Sequence, residues 1–90
     1  LPYFNSTKGM IGHALAASGS IELVGCVLQM QYNFIHANLN AYPLNEEIAD
    51  AIPAHNIPEK SIRHRINYLA KASFGFGDVN ACVVLKNPQN

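Results

Sequence analysis

Residues 6–31 read STKGMIGHALAASGSIELVGCVLQMQ, and this stretch decides the fold. It opens in a loop, Asn5 to Gly9, rich in residues that start helices. Beyond the loop the spacing predicts one helix from about Gly12 to about Gln31. At about 100° per residue, Ile21, Val24 and Leu28 form an apolar stripe, and Gly9, Gly12, Ala16 and Gly19 form a stripe almost without side chains. Leu15, Ser18, Glu22, Cys26 and Gln29 form the one partly polar stripe. A surface helix carries a wider polar face, so this helix is expected to be covered on most sides. Each interior glycine costs about 1 kcal/mol of helix propensity against alanine; close approach of another backbone is the expected compensation.

The rest of the chain is arranged around that helix. Residues 1–4 are expected to end a strand, and Phe34 to Leu39 to form a short extended segment. Residues 40–65 hold Pro43, Pro53 and Pro58 and most of the charge. They are expected to be an exposed connection with one short helix near Glu46–Ala51. Two apolar runs, Ile66 to Ser73 and Asn80 to Lys86, flank the glycine-rich turn Phe74-Gly75-Phe76-Gly77-Asp78-Val79, which predicts an antiparallel hairpin. Residues 87–90 read as a frayed end. The fold class is therefore α/β: one long buried helix packed on a small mixed or antiparallel sheet that ends in a hairpin, as a single unit over residues 1–90.

The 90 residues are 49% apolar and only 13% charged, which excludes a disordered tail. Six basic residues balance six acidic ones. Charge therefore makes no case for nucleic acid or an anionic membrane as a partner. The apolar stretch from Met10 to Met30 is interrupted by His13, Ser18, Ser20, Glu22 and Gln29, and is not a membrane span. Two cysteines, Cys26 and Cys82, are too few for a disulfide framework and point to a reducing compartment, the cytoplasm. Charge is also unevenly placed: residues 1–45 hold only Lys8 and Glu22, while residues 46–65 hold seven charged side chains. A free-standing domain this small has a large surface to cover. The chain is expected to be a piece of a larger core, or to bury much of itself against a partner; the alternative is a small soluble domain with a neutral Asn/Ser/Gln surface.

Two segments carry potential chemistry. Lys8 is the one cation of the first 45 residues, and His13 follows five positions later at the expected helix start. A helix N-terminus disfavours a protonated imidazole, and a neutral ring there can donate to a developing oxyanion. Gly12 would let substrate or backbone approach the ring. Spacing alone favours the plainer alternative, a solvated lysine and a satisfied core histidine. The second segment, Phe74 to Asp78, fails as a phosphate loop because no helix follows it. It either presents backbone N–H groups of Gly75, Phe76 and Gly77, with an apolar wall at Phe74, to a substrate, or is a tight hairpin whose phenylalanines fill core. The histidines at 13, 36, 55 and 64 lack metal-ligand spacing, and no C-x-x-C or G-x-S-x-G occurs. No metal is expected, and Cys26 and Cys82 read as inert core thiols.

Taken together, STKGMIGHALAASGSIE (6–22), NFIHANLN (33–40) and ASFGFGDVNACVVLKN (72–87) resemble the C-terminal end of the β-ketoacyl-acyl-carrier-protein synthases, the elongating condensing enzymes of fatty-acid and polyketide synthesis. The resemblance runs from about residue 3 to residue 87 and is weakest over 45–65. It implies part of a thiolase-like fold and a decarboxylative Claisen condensation, with no cofactor. His13 would be one of two catalytic histidines, donating to the malonyl thioester carbonyl as enolate charge develops. Lys8 would be the active-site lysine that holds the network around the histidines. Phe76 would be the gating phenylalanine, its N–H helping to form an oxyanion hole. The implied partners are acyl carrier protein and acyl and malonyl thioesters, with a homodimeric parent.

Three positions depart from the family pattern: Ile11 where threonine is usual, Asp78 where glycine is usual, and Ala72 where asparagine is usual. Asp78 sets a charged side chain beside the gating turn. Neither Cys26 nor Cys82 matches the nucleophile of the family. The chain is therefore expected to be a C-terminal fragment of a condensing enzyme several times its length, inactive and self-associating by itself. The alternative is a relative that does not catalyse, setting chain length or structure beside an active subunit.

Overall fold

Gly12 is where the expected long helix fails to start. Its backbone, at φ +76° and ψ −175°, is open essentially to glycine alone, and it closes a single turn of helix, α1 (Lys8–Ile11). Leu15 also takes a positive φ of 53°, and Leu15–Ala17 form one 3-10 turn. Regular helix begins only at Ser18. Helix α2 (Ser18–Tyr32) is 15 residues long, so it starts six residues later than the spacing predicts. It stops at Asn33, which adopts the left-handed conformation (φ 56°) and sends its N–H to the Gln29 carbonyl. Asparagine tolerates that conformation better than most residues. The computed structural model describes residues 2–88.

Strand β1 (Phe34–Ile35) follows at once and pairs antiparallel with β2 (Ile62–Arg63), Phe34 opposite Arg63. Between them lies α3 (Glu46–Ala51), where the sequence places a short helix. The Asn45 side chain caps it by accepting the Glu47 N–H at 2.9 Å, and Glu46 and Glu47 suit its positive end. The connection is less exposed than expected. Asn56, Ile57 and Pro58 are buried, and the Tyr42 hydroxyl lies 2.6 Å from the Ile57 carbonyl and 2.9 Å from the Ala54 carbonyl, with one hydrogen to share between them. Residues 2–4 are not a strand: the Phe4 N–H donates to the Asn56 carbonyl and Asn56 Nδ2 to the Pro2 carbonyl. Leu1 lies outside the described residues.

The C-terminal hairpin forms as predicted, slightly longer: β3 (Tyr68–Gly75) and β4 (Val79–Lys86), antiparallel, with Tyr68 opposite Lys86 and Gly75 opposite Val79. Its connection, Phe76-Gly77-Asp78, takes positive φ at Gly77 (78°) and Asp78 (60°). Glycine is the usual answer to such backbone, and aspartate is among the few other residues enriched there. The substitution at 78 thus keeps the turn, and its side chain is exposed. Asn87 is no frayed end. It is buried, its N–H bonds the Asn67 carbonyl, and its amide donates to the Met30 and Ile66 carbonyls. Gln89 and Asn90 lie outside the described residues.

The architecture is helix plus small antiparallel sheets, an α/β arrangement, with two separate two-stranded sheets rather than one among the described residues. Met30, Ile35 and Ile66 form the core, with Ile62, Leu69 and Leu85 packed around them. The expectation of a helix covered on most sides is corrected. Among the described residues α2 buries Ser18, Glu22, Gln29 and Met30, while Ile21, Val24, Val27 and Leu28 face outward. The partly polar stripe is the one that packs inward, toward β3, where Leu69, Lys71 and Ser73 alternate as the half-buried residues.

Candidate active site

Lys8 is held in place from several directions. The Ser6 N–H donates to Asn38 Oδ1 at 3.2 Å, and Asn38 Nδ2 donates to the carbonyls of Phe4 and Pro58. The Thr7 carbonyl then accepts the Met10 and Ile11 N–H groups and starts α1. Gly9 allows the turn to sit close to the Leu39 backbone, since a Cβ there would lie 3.0 Å from the Leu39 carbonyl oxygen. From α1 the Lys8 ammonium reaches Glu22 Oε2 on α2, and the other carboxylate oxygen, Oε1, accepts from Lys71 Nζ on β3 at 2.8 Å. The two cations hold the Glu22 carboxyl below its ordinary range, Lys71 foremost and Lys8 second.

His13 lies in the loop between α1 and the 3-10 turn, not at a helix start, so no helix dipole acts on its ring as the spacing predicts. A local network does the orienting. Its Nδ1 accepts the Leu15 N–H at 2.9 Å and lies 3.0 Å from Ser18 Oγ, which itself accepts the Ala14 N–H. An Nδ1 that accepts a backbone N–H carries no proton, so the neutral ring bears its hydrogen on Nε2. The ring is exposed and lines a cleft of about 1120 Å³ between α2 and β3. Within this chain His13 is therefore not a core histidine.

The same cleft is lined by Lys8, Ser18, Glu22, Lys71, Ser73 and Phe74. Phe74 thus lines the same cleft as Lys8 and His13. Gly75, Phe76 and Gly77 sit at the hairpin end and are not among the lining residues. Phe76 is fully exposed, at 105% relative accessibility, and Phe74 is largely exposed. Neither phenylalanine fills the core of this chain, so the turn is not explained by packing within it.

Two site residues went unassigned at the sequence level. Glu22 had a signal: residues 1–45 contain one acid and one base, and these find each other across 14 positions. Lys71 had a fainter one, a lone charge on the inward face of an apolar strand. Cys26, one turn beyond Glu22, is half-buried; burial pushes its thiol up, against the opposing pull of Lys71. That fits an inert thiol. Among the described residues no group of three His, Cys, Asp or Glu side chains gathers as a metal site would.

Comparison with known proteins points the same way as the quoted motifs. Residues 2–42 match the family described as Beta-ketoacyl synthase, C-terminal domain. A polyketide biosynthesis malonyl-ACP decarboxylase of Bacillus subtilis is 38% identical over 85 residues, which is 94% of this chain and 19% of that protein. A 3-oxoacyl-[acyl-carrier-protein] synthase 1 of Buchnera aphidicola subsp. Schizaphis graminum is also 38% identical, over 94% of this chain and 20% of its own length. The synthase 1 of Escherichia coli K12 is 32% identical over the same shares. The chain spans about a fifth of the length of these curated relatives. No solved structure matches it.

Proposed function

The chain belongs to the β-ketoacyl synthase family as a C-terminal portion, and from that premise we propose that it supplies half of an active site for decarboxylative condensation of acyl and malonyl thioesters carried by acyl carrier protein. The bond between the malonyl carboxylate and the α-carbon breaks and carbon dioxide leaves. The electron pair passes into the thioester carbonyl as an enolate. His13 Nε2–H donates to that oxygen as its charge grows. The α-carbon then attacks the acyl thioester held on a cysteine, which leaves as thiolate; neither Cys26 nor Cys82 matches that cysteine. Lys8 is the positive end of the network beside His13. Phe76 is the gate, its N–H donating to the acyl oxyanion and its ring closing the acyl side; Phe74 walls the cleft, and Gly75 and Gly77, at the hairpin end outside it, bind substrate on the side that the rest of the parent completes.

The observation that carries this reading is the hydrogen bond that His13 Nδ1 accepts. Leu15 N–H occupies Nδ1, which leaves Nε2–H as the donor the enolate needs. The test is carbon dioxide release from malonyl-carrier by the full-length protein. His13→Ala is expected to lower it at least about a hundredfold, the usual loss for an oxyanion donor. Release at the parental rate removes His13 from the mechanism. By itself the 90-residue chain is expected to condense nothing. Homodimerisation of the parent and a cytoplasmic location belong to the same proposal; among the described residues no helix is long and apolar enough to cross a membrane.

A second reading has its own support. The Bacillus subtilis relative, named a malonyl-ACP decarboxylase, is as identical to this chain as the Buchnera synthase. Lys8 and His13 serve the decarboxylating half of the chemistry, which both kinds of parent share. A full-length protein that releases carbon dioxide and yields acetyl-carrier, with no β-ketoacyl product, is a decarboxylase. One that yields the β-ketoacyl product is a synthase.

A further inference from the structure

Lysine rarely points inward from a strand, because its ammonium must find partners there. Lys71 does so on β3, with its side chain only 11% exposed. Its Nζ meets Glu22 Oε1 at 2.8 Å, the Ala72 carbonyl at 2.7 Å and Ser73 Oγ at 2.7 Å. Three donors meet three acceptors, which fixes the ammonium in one place. The Glu22 carboxylate in turn gives one oxygen to each lysine. Ser18, one turn earlier on the same face of α2, holds the His13 ring. A continuous polar chain thus runs from the strand that leads into the Phe74–Asp78 turn, through Lys71 and Glu22, to Lys8.

Resting on the functional reading above, we propose that Lys71 is a positioning residue for the reaction: it anchors the gate-bearing hairpin to Glu22 and so sets where the Lys8 ammonium stands in the cleft that His13 also lines. Two features of the structure argue for position rather than packing alone. The Lys71 ammonium is bonded to its own strand at Ala72 and Ser73 as well as to α2, so it joins two elements rather than filling space between them. Glu22 divided between two cations cannot swing both oxygens onto Lys8. The side chains facing Glu22 are Lys8 from α1, Lys71 from β3 and Cys26 from the next turn of α2, with His13 and Ser18 lining the same cleft. With Lys71 gone, Glu22 has one cation left and protonates more readily.

The test uses the full-length protein and the variants Lys71→Met and Lys71→Arg, with carbon dioxide release from malonyl-carrier read across pH. Lys71→Met keeps the bulk and loses the charge. It is expected to lower kcat about tenfold, a loss in keeping with a displaced catalytic group. KM is expected to stay within about twofold, and the acid limb of the rate profile to move to higher pH. Lys71→Arg is expected to recover most of the rate. A Lys71→Met profile that overlays the parent overturns the proposal, as does an arginine variant as slow as the methionine one. Amide exchange over residues 72–78 separates this from failure of the functional reading. If His13→Ala leaves activity intact, that reading fails, and faster exchange in Lys71→Met still supports the anchor. Unchanged exchange overturns it.

Discussion

Glu22 lies between Ser18 and Cys26 on α2 and receives both lysines of the cleft. Its carboxyl titrates below the ordinary value of 4.5. A depressed carboxyl contributes stability that is complete above its unfolded value and disappears as pH falls through the folded one. Glu22→Gln is therefore expected to lower stability at neutral pH by about 1–3 kcal/mol, the scale of hydrogen bonds to charged groups. It is also expected to flatten the loss of stability expected of the parent as pH falls below that ordinary value; thermal unfolding from neutral pH into that acid range checks both, and identical acid limbs for parent and variant would sink the assignment. Gly12 is a second residue with a definite cost. A Cβ there meets nothing within 4 Å, so Gly12→Ala is a pure backbone penalty of about 1–3 kcal/mol. A melting temperature equal to the parent's would show the loop relaxing instead. The pairing of Lys8 with Glu22 went unread, although so little else in the first half is charged. The His13 tautomer was not legible, since it depends on a Leu15 N–H delivered by a positive φ at that residue.

At the scale of elements, the hairpin and α3 follow from local rules: two apolar runs about a glycine turn, and an asparagine cap before two glutamates. The turn makes Asp78 testable. Its left-handed backbone accepts aspartate and glycine alike, so Asp78→Gly is expected to change stability by less than about 1 kcal/mol, whereas Asp78→Val, β-branched, is expected to cost about 1–2 kcal/mol. Equal melting temperatures for the glycine and valine variants would contradict the turn geometry. The start of α2 was the element read least well. Periodicity continues through Gly12 to Ala17, yet the chain there bends at Gly12 and Leu15, and a period count does not register a change in φ.

The whole molecule exposes the face of α2 that carries Ile21, Val24, Val27 and Leu28, together with Val79, Val83 and Val84 of β4. Covering side chains of this size is worth about 1.5–3 kcal/mol each. The isolated 90-residue chain is accordingly expected to associate, and Val24→Lys with Leu28→Lys to shift it toward monomer. Light scattering at rising concentration is the check; a parental chain that stays monomeric throughout would count against the prediction. Patterning along the chain determined which segments are helix, hairpin and connection, and which short motifs resemble a condensing enzyme, because spacing and turn chemistry are local. Tertiary structure decided the facing: that the polar stripe of α2 turns inward, that Lys71 joins Lys8 on one carboxylate, and that Asn87 is buried. Those outcomes depend on charges and amides meeting across tens of residues, where only the packed chain determines which partner lies within reach.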